Sequence, residues 1–254
     1  MSRALIFDCD GVLADTERHG HLVAFNRLFS EEGLGIQWSP EQYADLLAIA
    51  GGKERLQSLF ADPDWVARNG LPGDPDEQTR LVAAWHRRKT DIFLQLVAEG
   101  RVPGRPGIAR LATEARAAGW QVAVASTATE ESVRSIVAHT LPAEIAGAVR
   151  VFAGDIVEHK KPAPNLYLLA LSELDREPGE VCVVEDSQQG LLASLGASCP
   201  TIITVSDFTA GEDFTGAALV VDSLGDESHP VQVLETVLPE PPRGVISLEV
   251  VEAV

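Results

Sequence analysis

Short apolar runs alternate with segments of helical periodicity along most of the chain. The near-continuous apolar character of the runs is typical of parallel strands that are covered on both faces. We predict strands over Ala4–Phe7, Gln121–Ala125, Val149–Phe152, Val181–Glu185, Thr201–Thr204 and Ala218–Val221. Helical spacing between them predicts helices over Ile108–Ala118, Glu130–His139, Asn165–Leu174 and Gln188–Leu195. This alternation indicates an α/β fold with a doubly wound, mainly parallel sheet at its core.

The connection between the first two strands is much longer than the others. Residues 8–120 lie between them, whereas a simple crossover needs roughly 10–15 residues. Apolar side chains recur there at helical spacing, namely Leu22, Phe25, Leu28 and Phe29, then Tyr43, Leu46 and Leu47, then Leu81, Ala84, Trp85, Ile92 and Leu96. We therefore expect a small helical domain, residues 16–101, inserted after the first strand, with residues 1–15 and 102–254 forming the core. The alternative, a single large domain with a long disordered loop, is disfavoured by that periodicity.

The chain from about residue 207 onward is harder to interpret. Pro239, Pro241 and Pro242 separate a final segment, Val245–Val254, which fits a terminal helix, a strand or a mobile tail. No residue of this region belongs to a pattern that is typical of a catalytic site.

Composition narrows the class of protein without indicating an activity. Among 254 residues, 38 Asp and Glu outnumber 20 Lys and Arg, and the formal charge of −18 disfavours nucleic acid and anionic membranes as partners. No apolar run approaches the ~20 residues of a membrane span, and Ala4–Phe7 is too short for a signal peptide. We therefore expect a location in the cytoplasm, or in a plastid or equivalent soluble compartment after processing. A monomer is our expectation, although no pattern in the sequence indicates the oligomeric state. Cys9, Cys182 and Cys199 lack the spacing of a zinc site or a disulfide framework.

Two acidic residues follow the first predicted strand. Asp8 and Asp10 are two residues apart, so both project from the same face of an extended chain. Two ionised carboxylates this close repel each other unless a cation joins them, and a hard ion such as Mg²⁺ prefers oxygen ligands. The pair therefore fits a metal site, although Asp and Gly are also common in solvated turns at strand ends.

Further polar groups follow other predicted strands. Glu185 and Asp186 end one strand, Ser126 and Thr127 end another, and Lys161 lies in a proline-stiffened loop. Each has an ordinary alternative, because such acids and hydroxyls often cap helices and lysines are often solvated. Their common position at one edge of the sheet favours a functional site over these alternatives, since ligands of doubly wound sheets bind at the carboxyl ends of the strands. A hydroxyl, backbone N–H groups and an ammonium at that edge would hold a phosphate.

The order of these motifs resembles the haloacid dehalogenase superfamily: Asp8-x-Asp10-Gly11-Val12, then Ser126-Thr127, then Lys161-Pro162, then Glu185-Asp186-Ser187. The resemblance implies a phosphotransferase site, because the dehalogenases proper lack the second acid of the first motif. It implies that Asp8 is the nucleophile that takes the phosphoryl group and that Asp10 is the general acid and base. Ser126, Thr127 and Lys161 would bind the phosphoryl group.

By the same resemblance, Mg²⁺ is the cofactor. Its ligands would be a carboxylate oxygen of Asp8, the backbone carbonyl of Asp10 and the carboxylate of Asp186, with Glu185 either a further ligand or a residue beside the ligands. The chemistry agrees, because a carboxylate that attacks a phosphoryl group needs cations to offset the repulsion between two anions. The inserted helices would be the cap of this superfamily, which supplies specificity to a generic catalytic core.

Two basic clusters lie in the expected cap. Together with the segment that follows the cap, they resemble the CbbY-type subgroup, phosphatases of the xylulose-1,5-bisphosphate class: Gly51-Gly52-Lys53-Glu54-Arg55, His86-Arg87-Arg88-Lys89-Thr90 and Arg105-Pro106-Gly107. The resemblance implies that Gly52, Lys53, Arg55 and Lys89 contact the substrate. The ordinary alternatives are a helix–helix turn and a solvated helix face.

An early histidine of the cap also belongs to that pattern. His19 and His21 are both candidates, and the spacing to Phe25 and Asn26 favours His21 as a substrate contact. A solvated histidine on the first cap helix is the ordinary alternative.

We therefore expect a Mg²⁺-dependent phosphatase that acts on a sugar bisphosphate through an aspartyl phosphate. The best single candidate reaction converts xylulose 1,5-bisphosphate to xylulose 5-phosphate, with no nucleic acid or membrane as partner. A β-phosphoglucomutase-type phosphomutase shares the nucleophile, the acid and the cap, and another small sugar-phosphate phosphatase also stays open. A receiver-type phospho-acceptor module is disfavoured by the chain length and the cap, and a non-catalytic binder by the complete set of chemical groups.

Overall fold

Helices and strands alternate in the order that the apolar pattern predicts. The computed structural model describes residues 3–49 and 51–254. Its strands are β1 (Ala4–Phe7), β2 (Gln121–Ser126), β3 (Arg150–Ala153), β4 (Val181–Glu185), β5 (Thr201–Thr204), β6 (Leu219–Val221) and β7 (Val233–Thr236). Its α-helices are α1 (Leu22–Glu31), α2 (Pro40–Leu46), α3 (Gly52–Ser58), α4 (Pro63–Arg68), α5 (Pro75–Ala98), α6 (Ile108–Ala117), α7 (Glu130–Thr140), α8 (Ala143–Ala146), α9 (Asn165–Leu174), α10 (Gln188–Gly196) and α11 (Leu248–Ala253). A π-helical turn (Glu17–His21) and two 3₁₀ turns (Leu59–Ala61 and Pro178–Glu180) complete the described helices.

The strands form one sheet in the order β3-β2-β1-β4-β5-β6-β7. β1 to β6 pair in parallel, and β7 pairs antiparallel with β6. β1 lies between β2 and β4, with Ile6 opposite Ala123 on one side and Val183 on the other. The predicted α/β class with a mainly parallel sheet is confirmed. This strand order brings the carboxyl ends of β1, β2 and β4, which carry the candidate acids and hydroxyls, side by side.

One face of the sheet carries a continuous apolar core. Ile6, Ala123 and Val183 are buried there against α9 and α10, together with Leu166 and Tyr167. Strands that are buried along their whole length need no polar alternation, which is why these segments have a continuous apolar pattern. The core therefore fixes the strand register that positions the residues at the strand ends.

The predicted strands and helices recur with ends shifted by one residue at most, and the main difference lies at the far edge of the sheet. β7 is an additional antiparallel edge strand whose central residues, Leu234 and Glu235, are exposed. Its side chains lack the apolar run that identifies buried strands, because an edge strand buries little of its surface. Of the alternatives for Val245–Val254, the helix is correct, since α11 forms over Leu248–Ala253 within it. No helix in the described part of the chain is long and apolar enough to cross a membrane.

Contacts divide the chain into two compact units. One comprises the chain up to Thr16 and from Val102 to Val254, and the other is Glu17–Arg101. The second unit contains α1–α5, and α1 packs against α5. Its interior is aromatic: the rings of Phe29 and Trp38 meet edge to face, with centroids 4.7 Å apart. That this unit acts as a cap for the sheet unit stays a prediction.

The long helix α5 buries a face slightly different from the one predicted. Val82 and Phe93 are buried, whereas Ala84 is exposed and Leu81 only partly buried. The prediction was therefore wrong at Ala84. Trp85 lies on the buried face as predicted, together with Ile92 and Leu96, about two and three helical turns further on.

Candidate active site

Asp8 directly follows the last residue of β1. Its N–H donates to the carbonyl of Val184 in β4 at 2.9 Å, so pairing within the sheet fixes where the side chain begins. Gly11 has φ of +76° and supplies the left-handed turn that follows. A Cβ at Gly11 would lie 2.0 Å from Oδ2 of Asp186, so only a glycine leaves room for that carboxylate. The turn after β1 thus leaves space for the carboxylate of Asp186, the residue that follows β4.

Lys161 joins two of the predicted acids. Its Nζ donates to Oδ1 of Asp8 at 2.5 Å, to Oε1 of Glu185 at 2.6 Å and to the carbonyl of Ala125 at 3.0 Å. A lysine ammonium has three donors, and these three contacts use them. Lys161, Asp8 and Glu185 are all buried, so the ammonium offsets repulsion between carboxylates away from solvent. The structure therefore brings the first, third and fourth predicted motifs together.

Three carboxylates form a group that could hold a metal ion. Oxygens of Asp8, Glu185 and Asp186 lie within 4.8 Å of one another, and all three residues are buried. Burial raises the pKa of Asp8 to about 8; Lys161 opposes this shift, and the charges of Glu185 and Asp10 add to it. Burial also raises the pKa of Asp186 well above its usual range, with Asp8 and Glu185 adding to the shift. Buried oxygen donors of this charge fit a hard divalent cation such as Mg²⁺.

Asp10 lies next to this group. It is half-buried, and its charge raises the pKa of Asp8, so the two carboxylates are close enough to interact. Its backbone forms an isolated bridge with that of Ala14, which holds the turn after β1 in place. Its predicted roles, as general acid and base and as a metal ligand through its carbonyl, stay predictions.

Ser126 and Thr127 lie at the end of β2, beside β1. Because Val124 pairs with Phe7, Ser126 lies at the same edge of the sheet as the acids. Ser126 is buried, and its Oγ accepts the N–H of Ala128 at 3.1 Å, which leaves its hydroxyl hydrogen as a donor. Thr127 is half-buried. The arrangement fits the predicted binding of phosphoryl oxygens.

Several residues of this site are not evident from the sequence. The hydroxyl of Tyr167, a fully buried residue of α9, donates to Oε1 of Glu185. A hydrogen bond from Ser206, which follows β5, opposes the rise in the pKa of Asp186. Gly190 of α10 lies so close to Glu185 that a Cβ there would be 2.0 Å from its Cδ. In the sequence, Tyr167 resembles any core aromatic residue and Gly190 any helical glycine, so only proximity in space reveals them.

In the second unit, Lys89 and His21 meet inside the helical packing. Nζ of Lys89 lies 2.7 Å from Nδ1 of His21, and both residues are buried. The ammonium also lies 4.7 Å from the ring centroid of Phe25 and 5.4 Å from that of Phe93, on which His21 stacks. His19 is exposed. Of the two candidate histidines, the structure thus associates His21 with a residue predicted to bind substrate.

The other predicted substrate residues of this unit lie in α3. Gly52 begins that helix, and Lys53 follows with an exposed side chain. Arg55 is half-buried, and its Nε donates to the carbonyls of Leu46 and Ile49 at 3.2 and 3.1 Å. Arg55 therefore ties α3 to the end of α2. Its predicted contact with substrate, like those of Gly52 and Lys53, stays a prediction.

The similarity of the chain to known proteins agrees with this geometry. The family model for haloacid dehalogenase-like hydrolases matches residues 2–197. The chain belongs to the haloacid dehalogenase-like hydrolases. The resemblance inferred from the four motifs is thus confirmed, and this haloacid dehalogenase-like hydrolase is an enzyme, a phosphatase of that family.

Relatives of this haloacid dehalogenase-like hydrolase include proteins named CbbY. It is 43% identical over 223 residues to a CbbY-like protein of Arabidopsis thaliana, and the match covers 88% of this chain and 69% of the relative. It is 40% identical over 230 residues to the plasmid-encoded CbbY of Cupriavidus necator, covering 90% and 88%. A crystal structure of a CbbY mutant from Rhodobacter sphaeroides in complex with xylulose-(1,5)bisphosphate matches with a TM-score of 0.76 and 37% identity, covering 90% of this chain and 98% of that one. The resemblance to the CbbY-type subgroup is also confirmed.

Proposed function

We propose that this protein is a Mg²⁺-dependent phosphatase of a sugar bisphosphate, with xylulose 1,5-bisphosphate as substrate and xylulose 5-phosphate as product. The observation that carries the proposal is the buried cluster in which Lys161 bridges Asp8 and Glu185 beside Asp186. The choice of substrate is supported by similarity to a CbbY protein that was crystallised with xylulose-(1,5)bisphosphate. We also propose that the protein is a monomer and that it acts in the cytoplasm or in a plastid.

In the first half of the proposed reaction, Asp8 is the nucleophile. One of its carboxylate oxygens bonds to phosphorus as the bond from phosphorus to the sugar oxygen breaks, which forms an aspartyl phosphate. Lys161 favours the ionised form of Asp8, and its ammonium meets the charge that spreads over the phosphoryl oxygens. The hydroxyl of Ser126 and the backbone N–H groups before α7 donate to the same oxygens.

Mg²⁺, held by the carboxylates of Asp8 and Asp186 and the carbonyl of Asp10, would supply positive charge that lets one anion approach another. Asp10 gives its proton to the departing sugar oxygen. It then takes a proton from the water that attacks phosphorus, which releases inorganic phosphate and regenerates Asp8. General acid and base assistance of this kind typically contributes ~10²–10⁴-fold in rate.

The phosphate that is not transferred needs cations of its own, because a bisphosphate carries two separated negative groups. We assign this task to the second unit, with Lys53, Arg55 and Lys89 as the cations. Gly52 supplies a backbone N–H at the start of α3, and His21 supports Lys89 through the 2.7 Å contact between Nδ1 and Nζ.

A phosphate-release screen tests this function. The purified protein with Mg²⁺ is incubated with sugar mono- and bisphosphates, including xylulose 1,5-bisphosphate and β-glucose 1-phosphate, and both inorganic phosphate and sugar products are measured. We expect one phosphate per xylulose 1,5-bisphosphate and preference over the monophosphates. Conversion of β-glucose 1-phosphate to glucose 6-phosphate without net phosphate release would instead make the protein a phosphomutase.

The metal is tested in the same assay. Excess EDTA should abolish phosphate release, and added Mg²⁺ should restore it, because the carboxylate cluster needs a divalent cation to accept a phosphoryl anion. Full activity after exhaustive chelation would contradict the proposed metal dependence.

A further inference from the structure

Tyr167 carries a buried hydroxyl that the proposed reaction does not use. It lies in α9, is fully buried, and its hydroxyl donates to Oε1 of Glu185. A phenylalanine would fill the same apolar space, so the hydroxyl is the part of this side chain that needs an explanation. A hydrogen bond to an ionised carboxylate is stronger than one between neutral groups. Inside the core, such a bond can fix the orientation of the carboxylate that accepts it.

Glu185 is held at both of its carboxylate oxygens. Oε1 accepts from Tyr167 and, at 2.6 Å, from Nζ of Lys161, whereas Oε2 accepts the N–H of Asp186 at 3.2 Å. The backbone of Gly190 packs directly against this carboxylate, where a Cβ would lie 2.0 Å from Cδ of Glu185. These contacts define one orientation of the carboxylate.

Lys161 connects this carboxylate to the nucleophile. Its three donors are divided among Glu185, the carbonyl of Ala125 and Asp8. Tyr167 and Lys161 share the same oxygen of Glu185, so loss of the phenol would let Oε1 turn further toward the ammonium. That stronger attraction would draw Nζ away from Asp8.

We infer that Tyr167 is a positioning residue for phosphoryl transfer, which holds Oε1 of Glu185 and thereby fixes the ammonium of Lys161 beside Asp8. The inference rests on the proposed function, in which Lys161 serves the transferring phosphoryl group. Because Tyr167 is fully buried and its hydroxyl donates to Glu185, it acts through that carboxylate. Displacement of the ammonium lowers the stabilisation of the transition state more than it lowers the affinity for substrate. We therefore expect kcat to fall and KM to stay nearly the same.

The variant Tyr167→Phe tests this inference with p-nitrophenyl phosphate, so that the result does not depend on which sugar phosphate is the substrate. We expect kcat to fall about tenfold while KM changes less than about twofold. Thr201→Val is the matched control, because it also removes a fully buried hydroxyl, one that donates to the carbonyl of Cys199 at 3.0 Å in the same unit. The control should lower the melting temperature and leave kcat unchanged.

A double-variant cycle separates positioning from a merely structural role. In a Glu185→Gln background, Tyr167→Phe should cost less than about twofold in kcat, because its effect passes through that carboxylate. Gly190→Ala displaces Glu185 without changing Tyr167 and should reproduce the loss in kcat, which keeps the inference testable if Tyr167→Phe does not fold. Unchanged kcat in a folded Tyr167→Phe, or an undiminished loss in the Glu185→Gln background, would overturn the inference.

The crystal structure of Tyr167→Phe gives a readout that is independent of activity. Nζ of Lys161 should lie further from Oδ1 of Asp8 than the 2.5 Å of the intact protein. A wild-type enzyme that releases no phosphate from any substrate would disprove the proposed function, while the position of Lys161 would still decide the inference. An unchanged distance between these two atoms would count against it.

Discussion

Two buried lysines show how differently the two units of this protein accommodate charge. Lys161, in the sheet unit, is 8% exposed and lies 2.5 Å from a carboxylate oxygen of Asp8 and 2.6 Å from one of Glu185. Lys89, in the helical unit, is 6% exposed and contacts the imidazole of His21 and the faces of two phenylalanine rings. The first lysine is part of an ionic cluster, whereas the second packs on two aromatic rings beside a histidine.

The two environments predict different consequences of substitution. A buried ionic cluster is stable only with its charges complete, because removal of one partner leaves an uncompensated charge at a cost of ~3–5 kcal/mol. A cation over an aromatic ring gains about 0.5–2 kcal/mol. Loss of Lys161 should therefore affect chemistry and folding together, because it leaves two buried carboxylates without their cation.

The largest effect should follow from Asp8→Asn. Asparagine keeps the shape of the side chain but cannot accept a phosphoryl group, so phosphate release should fall at least ~10³-fold. The fold should persist, because burial disfavours the charge of Asp8 and Lys161 keeps Glu185 as its charged partner. Phosphate assays and thermal melts measure the two outcomes.

The control for that variant is Asp155→Asn. Asp155 is also an aspartate near a lysine, since its Oδ1 lies 2.9 Å from Nζ of Lys160, but its side chain is 68% exposed. Its activity should stay within twofold of the wild type, because an exposed ion pair contributes ~0–1 kcal/mol. A folded Asp8→Asn protein with substantial turnover would assign the nucleophile to another residue.

A comparison of Lys161→Met with Lys160→Met should give the next largest effect. The two lysines are adjacent in sequence but differ in environment: Lys161 is buried between carboxylates, and the half-buried Lys160 pairs with the exposed Asp155. We expect Lys161→Met to lower kcat/KM by ~10²–10³-fold and the free energy of unfolding by ~3 kcal/mol or more. Lys160→Met should change stability by less than ~0.5 kcal/mol. Urea unfolding and phosphate release of both variants are the measurements. Similar values for the two variants would contradict the prediction that the environment of Lys161 makes its charge more important than that of Lys160.

The sheet unit was the more predictable of the two from sequence. Strands that are buried throughout have continuous apolar runs, and parallel strands bring their carboxyl ends to one edge, so Asp8, Ser126 and Glu185 could be placed together before their distances were known. The contacts of Tyr167 and Gly190 with Glu185 could not be predicted, because they depend on how α9 and α10 pack on the sheet.

The helical unit was less predictable because helical spacing leaves the exact buried face undecided. Periodicity allowed Ala84 on the inner face of α5, but packing of the helix buries Val82 and leaves Ala84 exposed. Arg55 follows a glycine pair and suggested an anion site, yet its Nε is bound to two backbone carbonyls. Such contacts between a side chain and a distant carbonyl leave no pattern in the sequence.

Lys53→Ala and Arg55→Ala should give a smaller, selective effect. If Lys53 binds the phosphate that is not transferred, its loss should lower kcat/KM about tenfold for xylulose 1,5-bisphosphate and less than about twofold for p-nitrophenyl phosphate, which has a single phosphate. Arg55→Ala should also lower the free energy of unfolding by ~1–3 kcal/mol, because the carbonyls of Leu46 and Ile49 lose a donor. Kinetics on both substrates and chemical unfolding test the pair. Equal losses on the two substrates in Lys53→Ala would mean that α3 has a structural role only.

The smallest effect concerns two cysteines of the sheet unit, Cys182 and Cys199, which are buried in its interior. Cys182 lies in β4, the strand that carries Glu185, and burial, with a smaller contribution from Cys199, raises its thiol pKa to about 12. Burial raises the pKa of Cys199 to about 11. Because the thiolate is the nucleophile and its fraction at pH 8 is on the order of 10⁻⁴ to 10⁻³ at such pKa values, iodoacetamide should leave both thiols unmodified in the folded protein. Both should react once urea exposes them and returns the pKa toward ~8.5. Mass spectrometry of the two samples measures the difference, and rapid native alkylation at pH 8 would show that water enters the interior on which the ion pairs of Lys161 depend.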